Sequence, residues 1–441
     1  MDLSLLYGRR ELVAKADLPE KIPAAVQLLP TIEVGTTRIR CLRCNATTPL
    51  KEARLPRGQS YCPQCLNLGR VSTLDQFYHV AEPNQFAPIA EPLTWSGTLS
   101  PLQVRVAAEV KDSMLSHEQR LLWAVTGAGK TEMIFPTIEQ AIRRGERVCI
   151  ASPRVDVCLE LFPRLRAAFQ SVPMVLLHGR QEEPYKYCQL TICTTHQLLR
   201  FYHAFDLLIV DEVDSFPYAA NEQLLYATTQ AKKTTGGLLM MTATPGEVLQ
   251  RQIKAHRLAV SYLPLRYHGH LLPKIRCVQI DYRWQEKLKQ GHSPRQVGVW
   301  IRQHLRAQKR FLLFVPHIEN LADLRQCLQR ELPQCSFTTV YANDEQRLAK
   351  VQRMRDHQYD FLVTTTILER GVTFPGIDVC VLGADEKIFS SSALVQIAGR
   401  VGRSSQCPDG NVTFFVKENA RNVKAAYQQI KYLNRLGRRI Q

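Results

Sequence analysis

Short apolar runs rich in Val, Ile and Leu recur in two series along this chain, and each run ends at a turn or polar residue. The first series is LLWAV (121–125), RVCIAS (147–152), VPMVLL (172–177), LTIC (190–193), DLLIV (206–210) and GLLMMT (237–242). The second is RFLLFV (310–315), FTTVYA (337–342), YDFLVTT (359–365), DVCVLG (378–383) and NVTFFV (411–416). Longer amphipathic stretches separate the runs. A strand that is apolar throughout must be covered on both faces, and an intervening helix does this while returning the chain to the same end of the sheet. The pattern therefore predicts an α/β fold of two tandem parallel-sheet lobes, with no short-period repeat.

The 441 residues suit about three domains at roughly 150 residues each. Residues 1–88 lack long apolar runs and read as a small N-terminal module. The Pro- and Glu-rich stretch AEPNQFAPIAEPL (81–93) disfavours helix and central strand, and marks a boundary. Residues 89–270 form the first lobe and 271–441 the second. The segment 264–298 is irregular and basic. The stretch 421–441 carries six Lys or Arg and no acid, which suits a basic C-terminal helix. No apolar run reaches the roughly 18 residues of a membrane span, and MDLSLLYGRR lacks the apolar core of a secretory signal.

The N-terminal module holds two CxxC pairs, Cys41/Cys44 and Cys62/Cys65. Four thiolates so spaced can surround a tetrahedral Zn²⁺ at about 2.3 Å each. Pro56, Gly58 and Pro63 suit the turns of a zinc ribbon. All four positions are filled, so the zinc is expected to be structural. As a separate module, the first 90 or so residues are expected to unfold on chelation while nucleotide binding survives. The chain has 13 cysteines, an odd number, which fits a reducing compartment. The other nine (Cys149, Cys158, Cys188, Cys193, Cys277, Cys327, Cys335, Cys380 and Cys407) read as small buried apolar side chains.

Residues 124–131, AVTGAGKT, follow an apolar strand and precede the apolar helical stretch EMIFPTIEQAI. This is a phosphate loop in the strand–loop–helix context it needs. The backbone N–H groups of Thr126, Gly127, Ala128 and Gly129 can wrap phosphates, Lys130 reach the β- and γ-phosphates, and the Thr131 hydroxyl hold Mg²⁺. ATP is the expected cofactor. The strand DLLIV ends in Asp211-Glu212-Val213-Asp214. There Asp211 is placed to hold Mg²⁺, and Glu212 to orient and deprotonate a water. Asp214 is expected to link this motif to another. The balance of 57 basic against 40 acidic residues, +17, favours partners bearing phosphates or an acidic membrane surface.

These motifs, with Thr242-Ala243-Thr244-Pro245 and Gln396-Ile-Ala-Gly399-Arg400-Val-Gly402-Arg403, resemble motifs I, II, III and VI of the superfamily 2 helicases and translocases. LSPLQ (99–103) resembles the Q motif, ASPR (151–154) motif Ia, TTHQLLR (194–200) motif Ib, FLLFVP (311–316) motif IV and TTTILERGVTF (364–374) motif V. The resemblance covers about 350 residues. It implies two RecA-like lobes with ATP in the cleft between them. It implies that Gln103 reads adenine, that Gln396 senses nucleotide, and that Arg400 and Arg403 act on the triphosphate. Arg403 would neutralise charge on the γ-phosphoryl group. Arg154, Thr195 and Thr365 would contact a nucleic-acid strand through its phosphates. Arg370 of motif V would meet γ-phosphate or nucleic acid. Trp95 could stack on adenine or belong to the core.

A four-cysteine module ahead of the lobes, DEVD, ILERGVTFP and QIAGRVGR together are similar to the ComFA family, the late-competence ATPases of Gram-positive bacteria. That resemblance implies an ATP-driven single-stranded DNA translocase serving DNA uptake in natural transformation. It implies the competence proteins ComFC and DprA and the membrane channel ComEC as partners. The location implied is cytoplasmic, peripheral on the inner face of the cytoplasmic membrane, and an oligomer is compatible with it. The alternatives are a PriA-like replication-restart helicase, whose zinc cysteines follow the first lobe, and another superfamily 2 helicase.

Overall fold

The computed structural model describes residues 2–179, 184–370 and 374–441. Gly371, Val372 and Thr373 of the motif V stretch lie outside the described residues.

Six short strands open the chain: β1 (Arg10–Ala14), β2 (Gln27–Leu29), β3 (Ile32–Val34), β4 (Arg38–Cys41), β5 (Thr47–Pro49) and β6 (Asp75–His79). They form two antiparallel sheets, ordered β1-β6-β2 and β3-β4-β5. Arg10 of β1 faces His79 of β6.

The first parallel sheet contains β7 (Gln119–Ala124), β8 (Val148–Ser152), β9 (Met174–Leu177), β10 (Leu190–Thr194), β11 (Phe205–Asp211), β12 (Lys232–Thr242) and β13 (Ala259–Leu263). Its order is β13-β7-β12-β11-β8-β10-β9. The pairings from β7 through β12, β11, β8 and β10 to β9 are parallel. The second sheet contains β14 (Ile275–Gln279), β15 (Phe311–Phe314), β16 (Phe337–Val340), β17 (Phe361–Thr364), β18 (Asp378–Leu382) and β19 (Val412–Val416). Its order is β14-β19-β18-β15-β17-β16, parallel throughout. Every apolar run read from the sequence overlaps one of these strands. The edge strands β13 and β14 carry no such run, and β14 falls in the stretch read as irregular.

Helix boundaries follow local chemistry. Ser100 and Gln103 form a reciprocal capping box at the start of the helix Pro101–Leu115. Asn221 and Ser390 cap the helices Glu222–Ala231 and Ser391–Ala398. The stretch after the phosphate loop is two helices, Lys130–Met133 and Phe135–Arg143, not one. Pro136 is the cause, since its ring suits a first turn and not a helix interior.

The chain divides into two compact units. One holds Met1–Trp123 and Lys130–Tyr262, the other Ala124–Gly129 and Leu263–Gln441. In the first, one buried apolar core runs from Ile39, Cys41, Cys62 and Phe77 through Phe201 and Phe205 to Leu208 and Val210. The N-terminal module thus shares its core with the first parallel sheet. The core of the second unit is built on Phe311, Leu313, Phe361, Val363, Cys380 and Phe415. Of the nine cysteines expected to be buried, Cys277 and Cys407 are exposed and Cys335 is half-buried. Cys277 lies on the edge strand β14, where only one flank is covered. Among the described residues no helix is long and apolar enough to cross a membrane.

Candidate nucleotide site and four-cysteine cluster

Cys41 ends β4 and Cys44 lies in the turn after it, while Cys62 and Cys65 flank Pro63 at the start of a short 3-10 helix. The four sulfurs lie within 4.8 Å of one another and all four residues are buried. Sγ of Cys41 is 3.9 Å from Sγ of Cys65, and Sγ of Cys44 is 3.6 Å from Sγ of Cys62. A disulfide needs about 2.05 Å. Tetrahedral thiolates about 2.3 Å from one ion stand about 3.8 Å apart, so the donor set fits a zinc-sized cation. Hydrogen bonding among the sulfurs pushes Cys44 and Cys62 up and pulls Cys41 and Cys65 down. Arg43, buried between the first pair, donates from Nε to Sγ of Cys65 at 3.4 Å and from Nη2 to its carbonyl at 3.1 Å. Such outer partners orient ligating sulfurs and offset their charge.

In the first unit, Lys130 opens its short helix and Asp211 ends β11. Lys130 Nζ lies 3.0 Å from Asp211 Oδ1 and 3.3 Å from Glu212 Oε1. Burial opposes the ammonium charge, and the two carboxylates outweigh it, holding Lys130 above the ordinary lysine value. Glu212 adopts φ +55°, in the left-handed region that costs a non-glycine residue conformational energy. Its N–H donates to Asp211 Oδ1 at 2.9 Å. Asp214 accepts from Thr242 Oγ1 at 2.5 Å and from Thr244 Oγ1 at 2.6 Å. One carboxylate thus joins the end of β11 to the end of β12. Thr131 is buried.

The remaining expected site residues have varied settings. Gln103 is buried, and its Oε1 accepts the Ser100 N–H at 2.8 Å, giving one lone pair to the capping box. Trp95 is half-buried, edge-on to Phe135. Arg154 precedes the helix Val155–Ala168 and lies 3.7 Å from Asp156. Thr195 is 0% exposed, so its hydroxyl offers nothing to solvent. Thr365 is half-buried at the end of β17.

In the second unit, the glycines of the phosphate loop take positive φ, +78° at Gly127 and +74° at Gly129, as a loop presenting successive N–H groups requires. A Cβ on Gly399 would lie 1.8 Å from Thr126 Oγ1, so only glycine allows that approach. Ala128 and Gln396 are buried. Arg400 is buried and donates from Nε to the Glu369 carbonyl at 3.1 Å. Arg403 donates from Nε to the Gly399 carbonyl at 3.1 Å. Arg370 bonds Ser392 Oγ at 3.1 Å. Sequence reasoning passed over Arg266, which packs beside Gly127 and Arg403; its stretch, PLRYHGH, matches no motif.

Two parallel α/β units, one carrying the paired lysine and carboxylates and the other the motif VI arginines, define an ATP-hydrolysing helicase or translocase that binds nucleic acid. Residues 101–251 match the DEAD/DEAH box helicase family and residues 296–405 the helicase conserved C-terminal domain. Such domains work with ATP and Mg²⁺. The chain is 40% identical over 414 residues to the competence protein ComFA of Bacillus subtilis, spanning 93% of this chain and 89% of the relative. It is 38% identical over 437 residues to ComFA of Streptococcus pneumoniae, spanning 99% of both. Among solved structures, S. cerevisiae Dbp5 bound to RNA and ADP BeF3 aligns with TM-score 0.53 at 13% identity, over 76% of this chain and 92% of that one. Mycobacterium smegmatis helicase Lhr bound to ssDNA and AMP-PNP aligns with TM-score 0.52 at 16% identity, over 79% and 51%. These two share the fold. The chain belongs to the ComFA family of competence proteins.

Proposed function

We propose that this motor translocates single-stranded DNA and drives its uptake across the cytoplasmic membrane during natural transformation. The observation that carries the reading is the Lys130–Asp211–Glu212 cluster, set in a chain that resembles ComFA along 99% of its length. Lys130 exchanges carboxylates for the β- and γ-phosphates of ATP. Thr131 and Asp211 hold Mg²⁺, which neutralises developing charge when bound. Glu212 orients and deprotonates the attacking water. Arg400 and Arg403 act on the triphosphate, with Arg403 neutralising the γ-phosphoryl group. Thr126, Gly127, Ala128 and Gly129 cradle phosphate through their N–H groups, Gln103 reads adenine, and Gln396 senses nucleotide.

Arg154, Thr195 and Thr365 belong to the segments that touch the strand, mostly at its phosphates; for Thr195, buried as it is, the backbone is the group available. The four cysteines hold Zn²⁺. The working division is a zinc module over 1–88, a first lobe over 89–270 and a second over 271–441. The motor works peripherally on the inner face of the membrane with ComFC, DprA and the channel ComEC. The test is ATP hydrolysis with no nucleic acid, single-stranded DNA, duplex DNA or RNA, with Lys130→Ala as control. Stimulation by single-stranded DNA, abolished in the control, is expected. Preferential stimulation by RNA would move the assignment to an RNA helicase.

A further inference from the structure

Arg266 is 2% exposed, and its guanidinium is only half used. Nη1 donates to the Gly402 carbonyl and, at 3.4 Å, to that of Pro408. Nε and Nη2 are buried and bond to nothing among the described residues. These two nitrogens form one edge of the planar fork, with parallel N–H vectors matched to two oxygens of one anion. Burial pulls the guanidinium down to about 10, and the neighbouring Arg403 adds to this, while the Asp409 carboxylate partly opposes both. Arginine at that value still keeps its charge at neutral pH. Asp409 acts on the charge but does not bond that edge, and a buried donor edge left unbonded is costly unless an acceptor completes it.

Two contacts place that edge's residue at the phosphate loop, and two glycines shape the turns around it. Tyr267 N–H donates to the Gly127 carbonyl at 2.9 Å. A Cβ on Gly127 would lie 3.9 Å from Cγ of both Arg266 and Arg403. Gly269, at φ +83°, closes a tight turn in which its N–H donates to the Arg266 carbonyl at 2.9 Å. Gly402, at φ +67°, is needed as glycine, since a Cβ there would lie 2.4 Å from Arg266 Nη1. A strut beneath the Gly402 turn would account for Nη1 and leave the other edge unexplained.

We propose that Arg266 is a phosphate-binding residue of the nucleotide site, its Nε and Nη2 donating to oxygens of one phosphate group of ATP. The inference rests on the ATP site proposed above. The shared chemistry is a phosphate dianion or ester, and either the nucleotide or the inorganic phosphate left after hydrolysis could supply it.

The test is calorimetric titration of the full-length protein, Arg266→Gln and Arg266→Lys with ATPγS, ADP and inorganic phosphate. Melting temperature without ligand and affinity for a single-stranded oligonucleotide are measured alongside. Arg266→Gln should bind ATPγS at least tenfold more weakly. Arg266→Lys, which keeps the charge without the fork, should recover part of the loss, and oligonucleotide affinity should hold. If Arg266→Gln melts early, the rise in melting temperature that ATPγS induces carries the comparison and should shrink. Equal ATPγS binding by wild type and Arg266→Gln overturns the inference and leaves the ATP site standing. So does a loss confined to inorganic phosphate. Failure of the wild type itself to bind ATPγS would remove the site and the inference together.

Discussion

Arg147 and Arg266 are both buried guanidiniums, one in each unit, and they are treated in opposite ways. The side chains of Arg147 and its partner Glu82 are both 0% exposed, with Glu82 Oε2 2.5 Å from Nη1. Nη1 also donates to the Tyr7 carbonyl at 3.0 Å and Nη2 to the Tyr185 hydroxyl at 2.6 Å. The rings of Tyr187, Phe201 and Phe205 lie 4.9 to 5.5 Å from its Cζ. Burial works against its charge, and Tyr185 and Glu82 restore it, raising the guanidinium above the ordinary arginine value. Arg266 has carbonyls on one nitrogen, an open edge, and Arg403 and Asp409 as charged neighbours that bond neither open nitrogen. A charge neutralised by a buried carboxylate inside the fold, even with its Nε unbonded, belongs to architecture. A charge left incomplete at a glycine-rich loop belongs to a ligand.

The comparison also shows what the stretch 81–93, read as a boundary, does in the fold. Glu82 is the counter-charge of Arg147, and Asn84 bonds Asp206 and Lys233. Lys233 in turn lies 2.9 Å from Asp206. The N-terminal module is therefore riveted by buried charge to the first parallel sheet as well as sharing its core. Metal removal is the strongest way to break this picture. Structural zinc in small domains contributes on the order of 10 kcal/mol. Chelation, or Cys62→Ser, should therefore loosen the whole first unit and weaken ATP binding with it. A chelated protein whose thermal unfolding shows one early transition over about 90 residues, with nucleotide affinity intact, would restore the separable module.

Next in size is Glu82→Gln. Removing one member of a buried ion pair strands the other, at a cost of about 3–5 kcal/mol. The urea midpoint should fall accordingly, with nucleotide affinity in the surviving folded protein unchanged. Arg266→Gln should show the reverse, a small change in midpoint and a large one in ATPγS affinity. Matching profiles for the two variants would erase the distinction between them.

Asp214→Ala tests a linkage with a smaller stake. Its two threonine bonds tie the carboxylate end of β11 to the TAT segment after β12. Their loss should cost about 1–3 kcal/mol and reduce the stimulation of ATP hydrolysis by single-stranded DNA more than the basal rate. Equal loss of both rates would make Asp214 a part of the hydrolytic site itself.

How much of this could be read beforehand follows from the range of each interaction. The phosphate loop was legible because strand, turn and helix are contiguous, while Asp214 was marked as a linker only by its place in DEVD, without its threonine partners. Central strands declared themselves by apolar runs buried on both faces. β14 did not, because Arg276, Cys277 and Gln279 are exposed on a sheet edge, where charge discourages further strand pairing. The helix read through Phe135 broke at Ile134 for a visible reason, Pro136. Glu82 and Arg147 sit far apart in the chain with no motif around either, so only packing could join them. Arg266 depends on a turn, a carbonyl freed by Gly402 and a neighbour in motif VI, and none of these leaves a periodic mark.

The second unit also pairs a buried carboxylate, and it yields the smallest prediction. Asp378, at the start of β18, lies 3.1 Å from His304 Nε2 and accepts from the Asn411 N–H at 2.8 Å and from Asn411 Nδ2 at 3.0 Å. Burial pushes this carboxyl up, but His304 and Asn411 outweigh it and hold it below the ordinary aspartate range. A depressed carboxyl binds its proton more readily in the unfolded chain, whose value is about 3.9. Its stabilisation is therefore whole above that value and drains away as pH falls through the folded one. Asp378→Asn should lower the urea midpoint by the equivalent of about 1 kcal/mol at pH 7, and the gap from wild type should close as the pH is taken below about 4. A gap that stays constant with pH would mean that the aspartate acts through shape and hydrogen bonding alone, and Arg147 would then be the fold's better example of a buried charge completed by its surroundings.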